Sequence, residues 1–243
     1  MNSHDPRTAE LAERLAAVQG RIAAALQPDA LVVPKLIVVT KFHPAADVTR
    51  LRSLGVADVG ENRDQEAAAK SVEVGDPLLR WHFIGQLQGN KAKSVVRYAH
   101  SVHSIDRASL ASALGKAMAA EQDATGRADL ACYIQVDLSE TAEETQGSGR
   151  GGAAPSSVPA LAEQITGTPG LSLAGVMAVA PLGADPDPAF ELLAGISAKL
   201  RVAHPGAKGI SAGMSQDLEE AIRWGATHLR VGSDILGPRP QVG

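Results

Sequence analysis

Short runs rich in β-branched residues alternate along the chain with longer stretches whose apolar positions recur at helical spacing. The short runs are Leu36 to Thr40, Val56 to Gly60, Trp81 to Gly85, Ser101 to Ile105, Ala131 to Leu138, Leu173 to Val179, Gly209 to Ala212 and His228 to Gly232. Each has the length of a buried strand. Helical spacing falls over Asp47 to Leu54, Asn62 to Val72, Ala108 to Glu121, Val158 to Ile165, Phe190 to Val202 and Gln216 to Trp224, and a further helix over Thr8 to Leu26 precedes the first strand. Strands separated by helices pair in parallel, because a tight turn cannot reach a parallel neighbour. Eight such units in 243 residues predict an α/β fold, an eight-stranded parallel TIM-type barrel with an extra N-terminal helix, occupying residues 1–243 as a single domain. A doubly wound open sheet is the alternative.

Composition narrows the function classes. Hydrophobic residues make up 44% and charged residues 21%, an ordinary globular balance. A net charge of −4 and a total of 2 Trp, 2 Tyr and 3 Phe argue against a nucleic-acid partner, which calls for basic surface or stacking aromatics. The single cysteine, Cys132, cannot pair within the chain. No run reaches the roughly 18 apolar residues of a membrane span, and the opening MNSHDPRTAE lacks the pattern of a secretory signal, so a cytoplasmic location is expected. The glycine-rich run from Gln146 to Ser157 reads as a mobile loop after the fifth strand, and it lacks the Lys-Ser/Thr ending of a P-loop.

In a barrel of this kind the chemistry gathers at the carboxyl ends of the strands. Lys41 follows the first strand, where a partly desolvated amine can attack a carbonyl; position alone equally allows a lysine snorkelling into water. Ser211 to Ser215 (SAGMS) and Gly232-Ser233 follow the seventh and eighth strands, where such barrels often bind phosphate, and Ser215 ahead of Leu218 and Glu219 resembles a helix start. Ordinary strand-to-helix turns are the alternative. Arg230 alternates with Leu229 and Val231, so one of these two sets faces into the barrel, and a guanidinium there would need a ligand or an acidic partner to accept its hydrogen bonds. An amine, a phosphate cradle and an internal cation match the aldehyde, phosphate and ring nitrogen of pyridoxal 5′-phosphate. His100 and His103, three apart on one strand, are expected on opposite faces and so not to share a metal, while His82 reads as a satisfied core histidine.

The stretches VVTK (Val38 to Lys41), VGEN (Val59 to Asn62), WHFIGQLQGNK (Trp81 to Lys91), VHSID (Val102 to Asp106), GVMAVAP (Gly175 to Pro181), SAGMSQDLEEAI (Ser211 to Ile222) and LRVGSDILGPR (Leu229 to Arg239) together resemble the pyridoxal phosphate homeostasis protein family. These proteins are single-domain relatives of the alanine racemase N-terminal barrel. The resemblance implies that Lys41 forms a Schiff base with pyridoxal phosphate and that Ser211, Met214, Ser215, Gly232 and Ser233 surround the phosphate. It also implies that Arg230 faces the pyridine nitrogen, with Asn62 near the ring. Asn90 and Lys91 are characteristic of the family, with helix-start capping and surface charge as their plain alternative. Two positions depart from the family pattern: Ala226-Thr227, where many members have Ser-Thr, which predicts a hydroxyl lost near the site, and Arg150, where a lysine is common.

The function implied is a carrier that binds pyridoxal phosphate, buffers its free concentration and delivers it to apo-enzymes, without catalysis and as a monomer. The competing reading is a pyridoxal-phosphate-dependent amino-acid racemase. Two-base racemisation needs a second acid/base group opposite the lysine, which alanine racemases take from a tyrosine of a C-terminal domain. The only tyrosines here are Tyr98 and Tyr133, neither placed at a strand's carboxyl end. An aldolase using Lys41 on a phosphorylated sugar fits the chemistry but not the motifs.

Overall fold

The computed structural model describes residues 5–27, 33–139, 151–181 and 183–238. The predicted strands form, each shifted by a few residues at its ends: β1 (Lys35–Val39), β2 (Asp58–Glu61), β3 (Arg80–Phe83), β4 (Ala99–Ile105), β5 (Leu130–Gln135), β6 (Leu171–Met177), β7 (Gly209–Ser211) and β8 (His228–Val231). Each pairs in parallel with the next, and β8 closes on β1, with Lys35 opposite His228 and Val38 opposite Val231. A closed barrel therefore replaces the open-sheet alternative. β7 is three residues long and meets β8 at one registered pair, Ser211 with His228.

Among the described residues the α-helices are α1 (Pro6–Ala25), α2 (Ala45–Ser53), α3 (Asp64–Val74), α4 (Ala92–Tyr98), α5 (Ala108–Thr125), α6 (Val158–Thr166), α7 (Pro186–Ala203), α8 (Leu218–Arg223) and α9 (Ser233–Leu236). Helix α1 starts at the cap Asp5, whose carboxylate accepts from Arg7 N, with Pro6 at the first helical position. Its stripe Leu11, Leu15, Val18 and Ile22 is buried. Helix α4 was not expected, because the β-branched pair Val95-Val96 masks its buried set Ala92, Val95 and Val96. Helix α8 begins later than expected: Asp217, not Ser215, precedes it, and Asp217 Oδ1 accepts from Met214 N at 2.6 Å, so the chain turns once before the helix.

Two kinds of core follow from strand alternation. Outward residues such as Val38, Val59, Phe83, Val102, Ile134, Val176, Leu229 and Val231 join the helices in one apolar layer. The inward residues include Ile37 and Val39, but much of the interior is polar: His82, Ser101, His103, Gln135, Ser211 and Arg230 are all buried. His103 on β4 lies 2.8 Å from Ser211 Oγ on β7, a contact possible only across the barrel. The Tyr133 ring stacks on His103 at 4.2 Å between centroids. His82 is the satisfied core histidine expected, 2.8 Å from Asp58 Oδ1 through Nε2 and 2.6 Å from Ser101 Oγ through Nδ1.

One strand expectation fails. Trp81 pairs with Ala99 and His82 with Ser101, so the register skips a residue at His100 and the alternation shifts. The rings of His100 and His103 consequently both lie against His82, at centroid distances of 5.6 and 5.3 Å, and not on opposite faces. Among the described residues no group of three or more metal-ligating side chains forms. No helix is long and apolar enough to cross a membrane among the residues described. Gln146 to Arg150 of the glycine-rich run lie outside the described residues, while the rest of it is anchored, Ala153 bridging to Val136 and Pro155–Ser157 forming a 3-10 turn.

Burial holds the imidazoles of His82, His103 and His228 below the ordinary histidine value, His228 at about 4. Below a pH of about 6.5 the unfolded chain takes up protons that these rings refuse, so stability falls as pH drops, by about 1.4 kcal/mol per pH unit for each ring held neutral. Thermal midpoints at about pH 7.5 and about pH 5 should show the lower value at the acidic pH; equal midpoints would contradict this account of the interior.

Candidate functional site at the mouth of the barrel

A cleft of about 680 Å³ opens at the carboxyl ends of the strands. Six of the eight predicted residues line it: Lys41, Met214, Ser215, Arg230, Gly232 and Ser233. Val39, Ile84, Ala180 and Pro181 add apolar wall, and Phe42, His43, Asp217 and Asp234 also face it. Ser211 and Asn62 are not in its lining. Ser211 lies fully buried under Arg230, whose Nη1 donates to its hydroxyl at 2.7 Å. Asn62 follows β2, half-buried, with an Oδ1 that is buried and has no hydrogen-bond partner among the described residues.

Lys41 stands in the turn after β1, and the residues on either side of it are held by a buried ion cluster. Thr40 Oγ1 donates to Glu61 Oε1 at 2.6 Å, and Lys70 Nζ donates to the Thr40 carbonyl at 2.8 Å, to Glu61 Oε1 at 2.8 Å and to Glu66 Oε1 at 2.6 Å. Glu66 Oε1 also accepts from Phe42 N at 2.6 Å. Phe42 has φ 69°, a left-handed conformation uncommon for a bulky residue, and the Arg63 guanidinium covers its ring at 4.9 Å. Such strain persists only where the surroundings over-determine it, and here the backbone on both sides of Lys41 is fixed. Burial pushes the Glu61 carboxyl up against the opposing pull of Lys70 and Thr40.

Arg230 is inside the barrel and Leu229 and Val231 pack outward, which resolves the choice that alternation leaves open. Nη2 donates to the Ala178 carbonyl at 2.8 Å and its backbone N to the Gly213 carbonyl at 2.9 Å. No carboxylate pairs with it among the described residues, so the acidic-partner reading gives way to a cation exposed to the cleft. Burial brings Arg230 down to about 10, still cationic at neutral pH.

The two loops on the far side of the cleft approach closely through small residues. Ser215 Oγ lies 3.3 Å from Ser233 Oγ. Gly213 has φ 89°, and a Cβ there would sit 2.7 Å from the Ala221 Cβ. A Cβ on Gly232 would sit 3.0 Å from the Val39 carbonyl. From behind, Arg21 of α1 grips both loops, donating to both Glu219 oxygens at 2.7 and 2.9 Å, to Asp234 at 2.8 Å and to the Ser215 carbonyl at 2.9 Å.

Sequence reading missed Arg21, Lys70, Glu66 and His43. An arginine in an amphipathic helix and a lysine four residues after a glutamate both read as solvated surface, and only the folded register brings them under the mouth. Ala226-Thr227 lies at the amino end of β8, where Thr227 Oγ1 caps the Ile210 backbone, so that departure does not remove a hydroxyl from the cleft. Asn90 and Lys91 occupy a 3-10 turn leading into α4, with Lys91 Nζ 3.9 Å from Asp64.

A closed parallel barrel with a lysine after β1 and small-residue loops after β7 and β8 defines the alanine racemase N-terminal class, and the model of that family, described as alanine racemase, N-terminal domain, matches residues 10–240. Within that class the chain belongs to the pyridoxal phosphate homeostasis protein family. The pyridoxal phosphate homeostasis protein of Corynebacterium glutamicum is 42% identical over 229 residues, covering 92% of this chain and 99% of the relative. That of Mycobacterium tuberculosis is 40% identical over 255 residues, covering 98% and 96%. The structure of PipY from Synechococcus elongatus with PLP bound superposes with a TM-score of 0.78 at 31% identity, covering 93% of this chain and 100% of PipY.

Removing Lys70 leaves Glu61, 1% exposed, as an unpaired buried carboxylate. Lys70→Met should cost about 3–5 kcal/mol in urea unfolding; a loss within experimental error of zero would show that the cluster does not support the Lys41 turn.

Proposed function

We propose that this protein binds pyridoxal 5′-phosphate at the mouth of the barrel and serves its intracellular homeostasis, buffering the free cofactor and delivering it to apo-enzymes. The observation that carries this reading is the convergence of Lys41, Arg230 and the Ser215–Ser233 hydroxyl pair on one cleft. Its volume lies within the usual range for small-molecule sites, roughly 300–1,000 Å³. The names of the homeostasis-protein relatives and the PLP bound to PipY support the same ligand.

The residues present fit the group. Lys41 would hold the group through its amine, by condensation with the aldehyde and loss of water. Ser215, Ser233, Gly232 and Met214 would receive the phosphate through hydroxyls and close backbone, while Ser211, buried under Arg230, holds that guanidinium. Arg230 would face the ring nitrogen, and Asn62, whose Oδ1 has no partner among the described residues, would lie toward the ring. When bound, the cofactor supplies an electron sink, and a guanidinium beside the ring nitrogen weakens that sink because it opposes protonation there. The site therefore favours retention over turnover.

Racemisation finds little support in this chain. Tyr133 is stacked on His103 inside the barrel and Tyr98 ends α4, so neither tyrosine reaches the cleft.

Two measurements follow. Protein mixed with pyridoxal phosphate should show a visible band that borohydride converts to a permanent attachment, absent in Lys41→Ala; an identical reducible band in the variant would refute the lysine assignment. Alanine incubated in deuterated water with the loaded protein should keep its α-proton, and exchange at the roughly 1–1,000 per second typical of enzymes would establish the racemase instead.

A further inference from the structure

Apart from Gln135, the polar side chains named above for the barrel interior form one line from its amino-terminal end to Arg230. Arg80 donates through Nε and Nη2 to the two Asp58 oxygens at 2.7 and 2.6 Å. Asp58 Oδ1 is 2.8 Å from His82 Nε2. His82 Nδ1 is 2.6 Å from Ser101 Oγ and 3.2 Å from His103 Nε2, and Ser101 Oγ is itself 2.8 Å from His103 Nε2. His103 Nδ1 is 2.8 Å from Ser211 Oγ, which accepts from Arg230 Nη1 at 2.7 Å. From Asp58 to Arg230 every member is buried.

The two ends fix the direction of every link. A guanidinium only donates, so Ser211 accepts from Arg230 and turns its own O–H toward His103 Nδ1. That nitrogen is then bare, and a neutral His103 carries its proton on Nε2, shared between Ser101 Oγ and His82 Nδ1. The Ser101 O–H completes the step to His82 Nδ1, leaving the His82 proton on Nε2 to meet Asp58, a carboxylate held ionised by Arg80 and able only to accept. No donor faces a donor. The reverse polarity would set a bare His82 Nε2 against the Asp58 carboxylate, or require a buried imidazolium. Lys35, His100 and His228 are the other charged or titratable groups felt by this line, and the Tyr133 and His228 rings pack against His103.

We propose that His103, backed by Ser101, His82 and Asp58, is a positioning residue for Arg230: a one-way line of hydrogen bonds, with both imidazoles neutral and protonated on Nε2, makes Ser211 a fixed acceptor and locks the guanidinium in the orientation it presents to the cleft. The functional half rests on the reading of Arg230 as the partner of the ring nitrogen; the hydrogen-bond polarity stands apart from it.

Long-range proton–nitrogen correlation of the imidazoles in ¹⁵N-labelled, ligand-free protein at neutral pH tests the polarity directly. His82 and His103 should both report the Nε2–H tautomer, and an Nδ1–H tautomer or an imidazolium at either ring overturns the proposal. The coupling to the cleft is read with pyridoxal phosphate as the probe, in His103→Leu against His103→Asn, whose Oδ1 keeps an acceptor for Ser211. His103→Leu should displace the visible band and speed cofactor release roughly ten-fold, with His103→Asn returning both toward the wild type; a band and release rate unchanged in His103→Leu overturn the positioning role. If His103→Leu does not fold, Ser211→Ala breaks the same line at its last link and is judged by the same two readouts. A wild-type protein that takes up no pyridoxal phosphate refutes the binding reading, and the tautomers then decide the line alone.

Discussion

A guanidinium enclosed in a barrel, with no carboxylate paired to it among the described residues, is the constraint around which this molecule is arranged. Arg230 keeps its charge only because the interior offers oriented acceptors, the Ser211 hydroxyl and the Ala178 carbonyl, in place of water. Those acceptors need partners of their own, and the demand passes inward through His103 and His82 to Asp58. The polar core is thus the cost of placing a cation under the cleft, and branched aliphatic side chains, the usual filling of such barrels, could not have met it.

Lys41 faces the complementary problem of aim. A long flexible side chain is useful at a strand end only if the backbone beneath it does not move, and that rigidity comes from the buried Glu61–Lys70–Glu66 cluster and the left-handed Phe42. Burying such charges is rarely the most stable use of a core. Here the cluster fixes residues 40 and 42 together. Stability is exchanged for a defined amine.

Much of this was legible in the sequence. Strand runs such as LIVVT, each followed by a helical stretch, gave the barrel and its order, and the polar residues at strand ends located the mouth. Alternation set Arg230 apart from Leu229 and Val231 without deciding which of them turns inward. What failed had local causes: the register skip at His100 broke the period on which its facing was judged, a valine pair hid α4, and an Asp217 turn displaced the start of α8. The bracing residues Arg21, Lys70 and Glu66 were invisible because their partners lie on other elements and no local spacing encodes a tertiary ion pair.

β7 is short and shares one registered pair with β8, and the join is reinforced by backbone bonds from Thr227 N to the Ile210 carbonyl, Ala212 N to the His228 carbonyl and Arg230 N to the Gly213 carbonyl. It lies beneath the two loops that Ser215 and Ser233 bring together. An anion held by both loops would be a staple over that join, so occupancy and closure are linked quantities, and a guest that leaves would take with it part of what holds the wall shut.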